Sequence, residues 1–141
     1  MGENFLNYDQ SLSIKELGFD EPCLAWYVSK EHGLELGKVT QSDLLRDAVI
    51  APLKQQALHW FRDNYGLYHH IWPEFYTTAI NFNWQILWYL PKEDWTKYVI
   101  SEGTGQYGDN GEFPSYKQAE EACIDKIIEL IKKNSYGLYK N

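Results

Sequence analysis

The segment from Gly103 to Gly108 reads Gly-Thr-Gly-Gln-Tyr-Gly, which matches the glycine spacing of dinucleotide-binding loops. In such loops a helix begins within the glycines, and its N-terminus binds the pyrophosphate. Here turn-forming residues follow the glycines, and the next helix pattern begins only at Ser115. Asp109 and Glu112 would also repel a phosphate. We therefore interpret the segment as a connector and expect no nucleotide or other cofactor.

The adjacent histidines His69 and His70 suggest a metal pair at first sight. Their surroundings predict a strand, in which neighbouring side chains point to opposite faces. One metal ion cannot then bind both. His59 and Asp63 share a face of a predicted helix, but two ligands are too few for a zinc site. We expect no metal.

The sequence offers no recognisable catalytic constellation. Cys23 and Cys123 are the only cysteines, no Cys-x-x-Cys or Gly-x-Ser-x-Gly motif occurs, and the carboxylates are too scattered to nominate a pair. We predict no catalytic residue, and an enzyme of unknown chemistry remains an alternative.

Aromatic residues are unusually frequent, with six Trp, eleven Tyr and six Phe. Most of them should form the core. Rings left exposed on a sheet could stack on nucleic-acid bases, but this requires basic neighbours. Lys92 and Lys97 are the only near ones, and Glu74, Glu93 and Asp94 offset them. An exposed ring is therefore better suited to anchoring a protein partner. The candidate binding-surface residues are Trp72, Tyr76, Tyr89 and Trp95.

Length and charge limit the class of protein. A chain of 141 residues predicts a single domain over 1–141, and a net charge of −7 with a pI near 5.0 disfavours a nucleic-acid partner. The start of the chain lacks the pattern of a signal peptide, and no apolar run is long enough to span a membrane. We expect a cytoplasmic protein with reduced thiols and no membrane partner. The oligomeric state stays open.

The first half predicts a short helix and a hairpin. Residues 1–10 are expected to be a loose N-terminus, followed by a helix that begins with a capping box at Ser13–Glu16 and ends at Gly18. Strands are predicted at 23–29 and 34–39. The segment 40–50 fits either one helical turn or an ordered loop.

The second half predicts two long helices around a three-stranded meander. The first helix covers 52–65, with Leu53, Ala57, Trp60 and Phe61 in its buried stripe, and Gly66 ends it. Strands are predicted at 68–76, 84–90 and 95–101. Pro73 makes the first either an edge strand or a strand with a bulge, and two apolar faces make the second the best candidate for the sheet centre.

A long loop is predicted at 102–114, before the last helix. That helix covers 115–133, opens with a capping box at Ser115–Gln118, and buries an apolar stripe made of Ala119, Ala122, Cys123, Lys126, Ile127, Leu130 and Ile131. The fold class is α+β: an antiparallel sheet, built from the hairpin and the meander, with both main helices on one face and a short N-terminal helix.

Three segments, at 15–28, 51–69 and 116–132, together resemble a family of small uncharacterised proteins encoded by phages, prophages and related mobile elements of gut bacteria. The resemblance covers most of the chain, from about Ser13 to Lys133. It implies a mobile-element setting but no activity, cofactor or site residue. The favoured function is an accessory or protein-interaction protein with a partner of unknown identity. The alternatives are a nucleic-acid-binding module that uses aromatic sheet residues, and an enzyme.

Overall fold

The computed structural model describes residues 2–75, 77–89, 97–103 and 113–133, with the backbone alone for 88–89 and 97–103. Residue contacts group the chain into two compact units, 1–60 and 61–141, and each is described by itself. The single domain predicted over 1–141 stays a prediction.

The first unit begins with residues that are already packed. Phe5 and Leu6 are buried, and Phe5 forms an isolated β-bridge with Leu53. Helix α1 follows at Tyr8–Glu16. The prediction of a loose N-terminus over 1–10 is therefore wrong, because these residues contribute apolar surface to the core of the unit.

A capping box starts α1 six residues earlier than predicted, at Asn7 instead of Ser13. The Asn7 side chain accepts a hydrogen bond from the Gln10 N–H at 2.8 Å, and the Gln10 side chain accepts one from the Asn7 N–H at 3.1 Å. The capping box predicted at Ser13–Glu16 is wrong, since Ser13 lies inside the helix. Gly18, with φ of 102°, follows the helix end as predicted, because glycine adopts this conformation without steric cost.

The predicted hairpin is present. Strand β1 (Cys23–Tyr27) pairs antiparallel with β2 (Leu34–Val39), and the register shifts between Cys23 and Ala25. The segment that remained open, 40–50, forms a 3₁₀ turn at Gln41–Asp43 and a two-residue strand β3 (Val49–Ile50), which pairs with β1. The sheet order is β2-β1-β3.

One face of this sheet carries the core of the first unit. Ala25 is buried with Phe5 and Ala51, and Tyr27 packs against this cluster. The Tyr27 ring is half-buried, and its hydroxyl donates a hydrogen bond to the Leu6 carbonyl at 2.9 Å, which satisfies the polar end of the side chain.

Helix α2 (Lys54–Tyr65) contains the boundary between the two units, which lies between Trp60 and Phe61. Ala57, Trp60 and Phe61 are buried as predicted, whereas Leu53 is half-buried. Gly66, with φ of 68°, ends the helix as predicted.

The second unit contains the meander. Strands β4 (Leu67–Phe75), β5 (Ile80–Tyr89) and β6 (Lys97–Gly103) pair antiparallel in the order β4-β5-β6. Strand β5 is central, as its two apolar faces predicted, and strand β4 lies at the edge, as Pro73 predicted.

The sheet residue Trp84 is buried, and within the described residues its indole N–H has no acceptor.

Helix α3 (Tyr116–Lys133) packs on all three strands of the meander. The Ser115 hydroxyl accepts from the Gln118 N–H at 3.2 Å, as predicted. The buried stripe is rotated from the predicted one: Ile124 and Ile128 are buried, whereas Ala122, Lys126 and Leu130 are half-buried.

The predicted loop at 102–114 begins later than predicted, while residues 113–114 lie outside any helix or strand, as predicted. Strand β6 continues through Gly103, and Phe113 is buried and accepts a hydrogen bond from the Phe82 N–H through its carbonyl at 2.9 Å. The rest of that loop lies outside the described residues, as does most of the glycine motif. The α+β class, the antiparallel hairpin and meander, and the short N-terminal helix are confirmed. The hairpin and the meander belong to separate sheets.

Candidate binding site

An open pocket of about 560 Å³ lies in the first unit, and we call it the outer pocket. Its apolar lining consists of Trp26, Val28, Val39, Leu44, Leu45 and Ala48. Four charged residues complete it: Lys38, Asp43, Arg46 and Asp47. Ligand sites in proteins typically have volumes of about 300–1,000 Å³ and are mostly apolar with a few polar groups. The outer pocket has this size and composition.

The alternation of β1 supplies one wall of the pocket. Because successive strand residues point to opposite faces, Ala25 and Tyr27 face the core while Trp26 faces the other side. Val28, which directly follows the strand, also lines the pocket. The Trp26 ring lies close to Gly37 of β2: a Cβ built on Gly37 would be 3.0 Å from Cζ3 and 3.3 Å from Cη2 of the ring. Glycine at this position therefore allows the indole to lie against the neighbouring strand.

The segment 40–48 supplies the opposite wall, and side-chain hydrogen bonds fix its shape. Thr40 and Asp43 form a capping box around the 3₁₀ turn. The Gln41 side chain donates to the Ala48 carbonyl at 3.0 Å and accepts from the Ile50 N–H at 3.2 Å. One glutamine thus connects the start of the segment to its end, so the two leucines are presented by a closed loop.

The four charged residues of the outer pocket are not equivalent. The Asp43 carboxylate accepts from the Thr40 hydroxyl at 2.6 Å and from the Thr40 N–H at 3.1 Å, and these hydrogen bonds lower the pKa of Asp43. No ion pair of Lys38, Arg46 or Asp47 is formed within the described residues. The hydrogen bonds keep Asp43 ionised, so the lining carries two cations and two carboxylates, which balance.

The candidate surface residues from the sequence fall elsewhere. Trp72 lies on β4, is half-buried, and stacks on His70 with ring centroids 4.9 Å apart. Tyr89 ends β5, and its side chain is outside the described part. Tyr76 and Trp95 also lie outside the described residues. That these four residues contribute to a binding surface stays a prediction.

Around Trp72 the described charges do not form a basic surface. Tyr68, His70 and Trp72 occupy one face of β4 because they alternate along it. The Arg62 guanidinium lies over the Tyr68 ring at 5.8 Å, while the Glu74 carboxylate accepts a hydrogen bond from Asn83. One cation and one anion beside an aromatic row do not make the lysine-lined platform that nucleic-acid stacking requires.

The adjacent histidines lie on opposite faces of β4, as the strand pattern predicts. His69 is half-buried and His70 is exposed. Across the described ranges, no group of three or more His, Cys, Asp or Glu side chains is placed to hold a metal ion. No described helix has the length and apolarity needed to cross a membrane.

Both cysteines are buried in the described structure and form no disulfide. Burial raises the pKa of the Cys23 thiol to about 12, and the nearby Glu21 carboxylate adds to the effect. Burial beside Glu120 raises the pKa of Cys123 to about 12 as well. Because the thiolate is the reactive form, neither thiol is suited to nucleophilic chemistry.

We expect both thiols to be inert towards a disulfide reagent in the folded protein at neutral pH and to react when urea unfolds it. The thiols lose their protons more easily in the unfolded chain than in the folded one. The free energy of unfolding should therefore decline as the pH rises from 9.0 towards about 12. The check is a spectrophotometric thiol titration with and without urea. Rapid modification of either cysteine in the native protein would contradict this prediction.

Sequence reasoning missed the outer pocket. Its one detectable signal was the pair Leu44 and Leu45, which stand between Asp43 and Arg46 in a segment with no clear helix or strand pattern. Two adjacent leucines in a polar turn are unusual unless the turn buries or presents them.

The comparison of the chain with protein-family models, curated proteins and solved structures finds no match.

Proposed function

We propose that the protein is an accessory, protein-interaction module of a phage or related mobile element, and that it binds its partner through the outer pocket. The resemblance of the three segments at 15–28, 51–69 and 116–132 supports the mobile-element setting and a bacterial cytoplasm. The apolar surface around the outer pocket supports the interaction.

One observation carries the proposal: large apolar side chains are exposed together at the outer pocket. Leu45 is 85% exposed and Val28 is 42% exposed, and both line the pocket beside Trp26. Single exposed leucines are ordinary, but a group of them around a concave tryptophan-lined site is typical of interaction surfaces. Tryptophan is also among the residues that contribute most to binding energy at such surfaces.

The Leu45→Glu variant tests this function, with Leu36→Glu as the control. Leu36 is an exposed leucine of the same sheet that lies opposite Ala25, on the face away from Trp26. Native chain and variants are immobilised, and proteins retained from a lysate of the bacterium that carries the gene are quantified by mass spectrometry. We expect Leu45→Glu to lose a partner that the native chain and Leu36→Glu retain.

Circular dichroism must show that both variants are folded. A partner retained equally by Leu45→Glu would contradict the use of the outer pocket. The mobile-element setting is tested independently by the genes that flank this one. Neighbours that encode phage structural or replication proteins would support it, and a run of housekeeping genes would contradict it.

A further inference from the structure

We draw no further inference here: the strongest candidate, the surface patch of Tyr68, His70 and Trp72 on one face of the edge strand β4, carries nothing because the His70 and Trp72 rings stack on each other, with centroids 4.9 Å apart, and nothing in the described part of the chain shows what covers the patch.

Discussion

Replacing Trp60 with alanine is expected to lower the free energy of unfolding by about 3–5 kcal/mol. The Trp60 side chain is 8% exposed, and its ring meets the buried Phe19 ring edge-on, with centroids 5.5 Å apart and an interplanar angle of 72°. Alanine removes this contact and leaves a cavity that the surrounding chain fills only in part. Because whole domains are stable by about 5–15 kcal/mol, the loss should be evident in a urea titration followed by circular dichroism.

Two control variants define the origin of the effect. Trp60→Phe keeps an aromatic ring beside Phe19 and should cost clearly less than alanine. Gln55→Ala changes an exposed residue of the same helix and should leave the unfolding midpoint nearly unchanged. A midpoint for Trp60→Ala equal to that of the native chain would show that Trp60 does not anchor the core.

Replacing Ile127 with alanine is expected to cost about 2–5 kcal/mol. Ile127 is fully buried, at 0% exposure, on the helix that packs on the meander. Three methyl or methylene groups would be lost from a closely packed face. Differential scanning calorimetry measures the change, and Gln118→Ala, at an exposed position of α3, is the control that should shift the midpoint little. Equal midpoints for the two variants would contradict the assignment of Ile127 to the core.

The two substitutions together test the predicted single domain. Trp60 belongs to the unit 1–60 and Ile127 to the unit 61–141. If the chain unfolds as one cooperative domain, both substitutions should move the same transition. Two transitions, each moved by only one of the substitutions, would show that the chain unfolds in two parts.

Local signals in the sequence were sufficient for most elements of the fold. Gly18 and Gly66 mark helix ends because glycine adopts positive φ freely, and Ser115 caps α3 through its own hydroxyl. Pro73 predicts the edge position of β4, and the two apolar faces of β5 predict its central position. Each of these signals acts within a few residues, which is why sequence reasoning could use it.

Features that depend on distant partners could not be predicted. Phe5 pairs with Leu53 in an isolated β-bridge, and the Leu6 carbonyl accepts a hydrogen bond from the Tyr27 hydroxyl. Neither partner can be recognised from the N-terminal residues alone. The buried stripe of α3 could be centred in two ways, because small and branched apolar residues both recur at helical spacing. Packing against the sheet selects the arrangement in which Ile124 is buried.

The outer pocket was missed for the same reason. Its walls come from separate segments, at 26–28, 38–39 and 43–48. Local propensity left 40–50 undecided between a turn and a loop, and the fold of this segment depends on the Gln41 side chain, which bonds the Ala48 carbonyl and the Ile50 N–H. A long-range side-chain bond of this kind has no signature in hydrophobic periodicity.

Pro73 also has a consequence for the behaviour of the protein at high concentration. Strand β4 is nine residues long and lies at the edge of its sheet, and a long edge strand is a template on which further chains can add and grow into fibrils. Proline in an edge strand has no N–H to offer to an incoming strand, and its ring nitrogen faces the outer edge. The ladder that such a strand could build is therefore interrupted at Pro73, and we expect this interruption to disfavour ordered aggregation of the protein at high concentration.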